Sequence, residues 1–548
     1  MAWTRGALVL VAAGAVGLAL VSGGSEADPR TPAALPGMPP PFLGTAVVGG
    51  GGMTAAIDAY GDVVDLRAPG PAGRALIDNP VDRQAAGSVS PDTGIVPRVS
   101  IEGGPALPLW RADSVTQRYL AGTNVVRTVA RFGPVSVAIT DAAPGEVLGR
   151  VVEVRAQRQV RAVPTLDVNV EAGLRCKRER RPGMVALVCS APSGDSSPGD
   201  GEPDSASVED RADILIRAAT VNDGNWLTRA RPLGAGAPGW ARQMYQRSLL
   251  TLRALMDHRT GAVAAGARDG WAYVWPRDAG TAALAFAAGG YRGEARRAAR
   301  FLHGLDLDAG ARFHGDGTPV EGREAQGDAA GWTAVARRAA GLPTSADLAP
   351  WRDRPDYQEG APGDYLANAI ASTAADGPNR RPGVDLSARR RGVRVGAEFG
   401  TGRRLMRRAD DAESGLDSAA AWAVRPFPLP TLHPAVRETL LRLASRATRF
   451  GIIPSEDWPE ADPWTAPTAW SAWSLDALGD RRPALRLLGD LRRAATPAGA
   501  LPERVDARTG LPRSTTPLAW SHAFAILALR QLWPGLSSPD GGPASHVR

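Results

Sequence analysis

The run Trp271-Ala-Tyr273-Val-Trp275-Pro-Arg277-Asp278 gathers three aromatics, a guanidinium and a carboxylate in one short stretch. In an extended segment alternate residues share a face, so Trp271, Tyr273 and Trp275 are expected on one side. Pro276 ends the segment, and the Ala-rich run behind it reads as a helix that opens on Arg277 and Asp278. A fixed fork of donors beside two acceptor oxygens suits the vicinal hydroxyls of a sugar, and flat rings suit the apolar face of a pyranose. Taken alone, the same run would equally suit a buried aromatic strand ending in an ion pair.

Other stretches keep it company. Leu501-Pro-Glu503-Arg-Val-Asp-Ala-Arg-Thr-Gly places a carboxylate before a turn, and Trp520-Ser521-His522 then opens the last helix. Phe450-Gly-Ile-Ile-Pro-Ser-Glu-Asp-Trp458 leads to Asp462-Pro463-Trp464-Thr465. Pro355-Asp356-Tyr357-Gln358-Glu359-Gly360 follows Gln326-Gly-Asp328. The six histidines, at 258, 303, 314, 433, 522 and 546, show no ligand spacing, and Gly49 to Gly52 lacks the lysine of a phosphate loop. No metal and no cofactor is expected.

The elements that must position these residues fall into two kinds. At 548 residues the chain is multidomain. Residues 42–221 carry short alternating apolar runs, such as Val135-Ser-Val-Ala-Ile-Thr, separated by turn residues, which predicts an antiparallel β-sandwich. The two cysteines, Cys176 and Cys189, flank a turn as in a hairpin, and in an exported chain a disulfide between them is expected. Over 222–535 the period becomes helical, with helices read at 240–256, 279–288, 293–305, 327–340, 365–374, 434–448, 468–478, 483–494 and 520–532. Long loops between them suggest a toroid of paired helices with the site built on loops at one end. Residues 377–408, with ten arginines, read as a solvated insertion or a phosphate- or polysaccharide-binding arm, and 536–548 as a tail.

The amino terminus sets the expected compartment. Arg5, an apolar run from Ala7 to Val21 and small residues at Ser25 and Ala27 read as a secretory signal over 1–27, followed by a Pro-rich linker at 28–41. A secreted or cell-envelope protein with no membrane segment after cleavage is expected, an uncleaved anchor being the alternative. The net charge of +7 comes almost entirely from arginine, Lys177 being the only lysine. Spread through an Ala-, Gly- and Pro-rich chain, that pattern argues for codon bias and against a nucleic-acid partner. The 15 tryptophans against 7 tyrosines point instead towards carbohydrate.

Taken in order, these motifs resemble the glucoamylase-type glycoside hydrolases of family 15, a group that includes bacterial glucoamylases, glucodextranases and trehalases. FLGTAVVGGGGMTAAIDAYGDVVDL near the start resembles the family's β-sandwich, and YQRSLLTLRALMDHRTGAVAA resembles the first helix of its catalytic domain. The resemblance runs from about Phe42 to Pro534. It implies an N-terminal antiparallel β-sandwich followed by an all-α (α/α)6 barrel. It also implies an inverting mechanism, with two carboxyls about 6.5–9.5 Å apart.

Residue by residue, Glu503 matches the general base, and Asp356 and Glu359 match the family's conserved Asp and its general acid. Gln358 stands where Trp is expected and Gly360 where a second Glu is expected; Glu398 is the fallback acid. The resemblance assigns Arg277 and Asp278 to the hydroxyls of the terminal sugar. It puts Trp271 at the pocket wall, Tyr273 and Trp275 lining or supporting it, Asp356 among the substrate-binding residues, Trp464 at the neighbouring subsite and Trp520 beside the base loop. The implied activity is a secreted, inverting, exo-acting α-glucosidase that releases glucose from the non-reducing ends of α-glucans or α-glucosides. A trehalase and a catalytically degenerate sugar-binding protein of the same fold are the alternatives. The expected partner is an oligo- or polysaccharide.

Overall fold

A computed structural model describes residues 32–78, 94–170, 173–191, 206–344, 349–358, 360–375, 386–409 and 411–535. The expected signal peptide at 1–27, the tail at 536–548 and Glu359 lie outside the described residues.

The first part is a sandwich of two antiparallel sheets. β1 (Gly44–Gly49), β2 (Thr54–Asp58), β3 (Val63–Ala68), β5 (Gly94–Ile101) and β11 (Ala162–Asn169) lie side by side, with β4 (Arg74–Asp78) on β3 and β6 (Leu107–Pro108) on β5. The second sheet runs β12 (Arg175–Arg181), β13 (Met184–Ser190), β10 (Val147–Ala156), β9 (Val135–Ala142), β8 (Val126–Phe132) and β7 (Ser114–Tyr119). Period-2 patterning is visible in β8, where Val126, Thr128, Ala130 and Phe132 are buried and the residues between them are not. Arg150 on β10 crosses to the other sheet, donating to Ile95 O (3.2 Å) and Gly61 O (2.6 Å) as well as to Asp141 (2.6 Å). Cys176 and Cys189 face each other across β12 and β13 and form a disulfide.

Helical structure begins earlier than the expected change at 221–222. α1 (Val208–Leu227) runs straight across that point. Ser207 caps it, and its Ala212 packs with Val151, Ala186 and Val188 on the outer face of the second sheet. Ile214 and Val221 are exposed on α1, which blurs the apolar stripe that would have revealed the helix.

The remaining helices form two layers. α3 (Pro276–Gly289), α5 (Ala329–Ala339), α6 (Leu366–Ala371), the short 3-10 turn Ser418–Ala423, α9 (Thr465–Ala477) and α11 (Ala519–Leu532) touch in that order and close a ring, α11 returning to α3. These segments are buried on almost every side, which is why their apolar period is weak. α2 (Gly239–Ala254), α4 (Arg292–His303), α7 (Leu386–Phe399), α8 (His433–Ser445) and α10 (Arg481–Ala494) lie outside them. α4 and α10 show the sharp two-faced pattern of a helix with one side in water. The axis of the ring is filled by Trp332, Trp422, Trp470 and Phe524 in edge-to-face contacts with centroids 5.1–6.0 Å apart. Part of the tryptophan load is therefore core material.

The arginine-rich stretch is not a solvated insertion over its described length. Val395 and Phe399 of α7 are buried, and Gly392 lets the helix approach the 430–432 turn, where an added Cβ would meet Thr431 Oγ1 at 2.1 Å. Arg407 just beyond reaches inward to Asp356. Among the described residues no helix is long and apolar enough to cross a membrane.

Candidate active site

Glu503 is held in a small lattice of extended backbone. Its N–H donates to Thr515 O (3.0 Å), its carbonyl accepts from Thr465 N (3.0 Å), and Val505 N donates to Pro463 O (3.1 Å). The turn that follows is closed by Asp506, whose Oδ1 accepts from the backbone of Arg508 and Thr509, with Gly510 at φ +77° where a side chain would be strained. Trp520, Ser521 and His522 then each do something different. Trp520 faces a cavity, Ser521 accepts from Thr465 Oγ1 (2.7 Å), and His522 Nε2 accepts from Leu501 N (3.0 Å). Complete burial pushes the His522 pKa well below its usual value, so the ring is neutral and its Nδ1–H donates to Ser248 Oγ (2.9 Å) on α2.

Glu503 is 9% exposed. Oε1 accepts from the indole N–H of Trp271 (3.2 Å) and Oε2 from the hydroxyl of Ser514. Arg504, the neighbour with which a surface Glu503 would pair, is instead bound to Glu460. Hydrogen bonds donated to both oxygens fix the orientation of the carboxylate beside the cavity.

Glu503 lines a cavity of about 290 Å³. Trp271, Trp275, Arg277, Asp278, Trp464 and Trp520 line it too. Pro276 starts α3, so Arg277 and Asp278 lie in its first turn. Arg277 is buried, donating to Gln326 Oε1 and Asp328 Oδ2 (both 3.0 Å), with its guanidinium 4.5 Å from the Trp520 ring centroid. Asp278 is 3% exposed, and burial, opposed by Arg277 and the backbone N–H of Trp520, pushes its pKa up to about 6. Its Oδ1 has no hydrogen-bond partner, and neither do Arg277 Nε or the indole N–H groups of Trp458, Trp464 and Trp520. All five are buried atoms on residues that line the one cavity.

Two expected residues lie elsewhere. Tyr273 does not line the cavity: Asp269–Trp271 forms a 3-10 turn, so the alternation fails, and the ring packs edge-on against His314 (5.3 Å) beside Arg67 of β3. Asp356 is also off the cavity wall. Its Oδ2 accepts from Arg407 (3.0 Å) and its Oδ1 from the N–H groups of Gln358 and Gly360 (3.0 Å each), so both oxygens are engaged within the protein. Gly360 is tightly enclosed: an added Cβ would meet the Tyr365 hydroxyl at 2.4 Å, which excludes a second Glu there without rearrangement. Glu398 is no acid candidate. Burial raises its pKa, but hydrogen bonds from Arg352 (2.5 Å) and Arg394 (2.9 Å) outweigh that and hold it below the usual range.

Several lining residues were not assigned from sequence. Tyr357 donates to Asp417 Oδ1 (3.0 Å) and accepts from Gln358 Nε2 (2.7 Å), so Gln358 buttresses a wall. Trp458 meets Trp464 edge-on at 5.0 Å. Ser514, Glu460 and Arg513 complete the rim near Glu503. Tyr357 and Trp458 carried a signal, each an aromatic inside a motif; Ser514 returns to Glu503 across a turn, and Glu460 comes from a separate loop.

Residues 239–308, which hold α2, the Trp271–Asp278 run, α3 and α4, match the family model described as Glycosyl hydrolases family 15. Among solved structures, a bacterial glucoamylase complexed with acarbose aligns with 90% of this chain and 94% of its own, at TM-score 0.64 and 13% identity. A protein described as a wild-type glycosidase aligns with 54% of this chain and 99% of its own, at TM-score 0.44 and 21% identity. A glucoamylase from Saccharomycopsis fibuligera aligns with 53% of this chain and 94% of its own, at TM-score 0.42 and 13% identity. No curated protein matches the chain.

Proposed function

We propose that the chain is a glycoside hydrolase of glucoamylase type, an inverting, exo-acting α-glucosidase. It removes one glucose from a non-reducing end, and it acts outside the cytoplasm after loss of the segment at 1–27. The observation that carries this reading is the clamped Glu503 carboxylate beside unpaired polar atoms of Asp278, Arg277 and three tryptophans around one cavity. A cavity of about 290 Å³ suits a single sugar ring better than a long groove would.

In this mechanism the terminal glucose stacks against Trp520 and Trp271. Its hydroxyls are held by Asp278 and Arg277, which line the cavity. Glu503 removes a proton from a water as that water's oxygen bonds to the anomeric carbon. On the opposite face the glycosidic C–O bond breaks, and the leaving oxygen takes the proton of Glu359. Exchange with solvent then returns a proton to Glu359 and removes one from Glu503. The product is β-glucose.

The test is glucose release from maltose, isomaltose, trehalose and starch, with the product anomer read by NMR and Glu503→Gln and Glu359→Gln run alongside. Release of β-glucose that both substitutions abolish is the expected result, and the best substrate names the linkage. Release of α-glucose first would rule out inversion. Sugar binding without turnover by the unsubstituted protein would favour a binding protein.

A further inference from the structure

The seam between sandwich and barrel holds a second cavity, of about 460 Å³. Residues 118–122 at the end of β7, one stripe of α2, and Arg492 with the 495–499 loop form its walls. Its lining carries three guanidinium groups, Arg118, Arg247 and Arg492, and no carboxylate. The candidate active site differs: there Asp278, Glu460 and Glu503 stand among the arginines.

Arg247 is 8% exposed. Its nitrogens donate to Thr123 O (2.8 Å), Thr251 Oγ1 (3.3 Å) and Asn124 Oδ1, all neutral, and its guanidinium lies 3.6 Å from the Tyr119 ring centroid. The nearest carboxylate that influences it, Asp223, is bound to Arg253 at 2.6 Å. A cation buried without a counter-ion is costly, and burial pushes its pKa down accordingly. Arg118 and Arg492 are exposed, and neither forms an ion pair among the described residues. Trp240 is half-buried, 5.7 Å from the Arg492 guanidinium, with the amides of exposed Gln243 and Gln246 along the same helix.

We propose that this cleft binds a sugar that carries an anionic group, a phosphate or a carboxylate. The ring lies on Trp240, Gln243 and Gln246 take hydroxyls, and Arg118 and Arg492 take the charge in the field of Arg247. The site stands apart from the hydrolytic cavity, sharing no residue with it.

Calorimetric titration of the full chain at low salt tests it, with glucose 6-phosphate and glucuronate as probes and glucose and inorganic phosphate as controls. Saturable binding of either anionic sugar is expected, weakened at least tenfold by Arg492→Gln and by Trp240→Ala, with glucose release from maltose unchanged. Arg492 is exposed, so its substitution keeps the test valid even if Trp240→Ala folds poorly. Glucose 6-phosphate identifies a phosphate preference and glucuronate a carboxylate preference. No binding of either, binding that survives Arg492→Gln, or inorganic phosphate binding as tightly as glucose 6-phosphate would overturn the proposal.

Discussion

Arg150 in the sandwich and Arg277 in the barrel are both buried beside aspartate, yet their surroundings are finished differently. Each nitrogen of Arg150 has a partner, and one oxygen of Asp141 is the orphan there. Around Arg277 the orphans are its own Nε, one oxygen each of Asp278 and Asp328, and the Trp520 indole N–H, with a cavity open beside them. The same residue pair serves as a rivet in one place and as an unfinished surface in the other. The adjoining cavity, more than residue type, separates the two roles.

The sharpest way to test that contrast is at the clamped carboxylate. Glu503→Gln should lower kcat by about 10³-fold while leaving the melting temperature nearly unchanged, measured by glucose release and calorimetry. A free-energy effect of similar size but another kind is expected from the rivet. Arg150→Met leaves Asp141 buried without a partner and should cost about 3–5 kcal/mol of stability, read from denaturant unfolding, with kcat of the folded fraction retained. Arg277→Met should cost stability and also abolish sugar binding; if Arg150→Met does the same, the distinction fails.

The pH dependence offers a third handle. Burial pushes Asp417 up to about 7 and Asp278 and Asp65 to about 6, against 3.8 for the unperturbed group. The folded state therefore holds protons that the unfolded state releases, so the stability these groups confer is complete below about pH 4 and is lost as pH rises through 6 to 7. Asp417→Asn should flatten that decline, by at most about 4 kcal/mol, in melting curves taken from pH 4 to 8. The smallest effect is expected at the rim. Glu460→Gln removes the partner of Arg504 where Glu460 is half exposed, and should change KM a few-fold with little change in kcat.

Much of the fold was legible because patterning and motif agreed. The alternation of β8 and the two-faced α4 and α10 are visible in the sequence, and Arg277, Asp278 and Glu503 stand in runs whose residue types match their geometry. What was hidden has physical causes. α1 displays exposed apolar residues that mask its period, and α7 carries arginines on one side while burying Val395 and Phe399 on the other. Tyr273 was misplaced because a 3-10 turn breaks the alternation on which the reading rested. Asp356 was assigned to the sugar although its oxygens are taken up by Arg407 and the backbone. Ser514 reaches Glu503 only through the return of a turn, a relation that local pattern does not encode.

Helix α2 ties the two halves of the chain together in a way that bears on modularity. Its Leu250 and Ala254 carbonyls accept from Asn124 (3.0 Å) and Thr54 (3.1 Å) of the sandwich. Its Ser248 accepts from His522, which in turn holds Leu501 two residues before Glu503. The sandwich is therefore not an exchangeable cassette. A barrel cut free near residue 230 would lose the frame against which its base is aligned, and recombination that swaps in a foreign sandwich should conserve the partners of Leu250 and Ala254 or forfeit turnover.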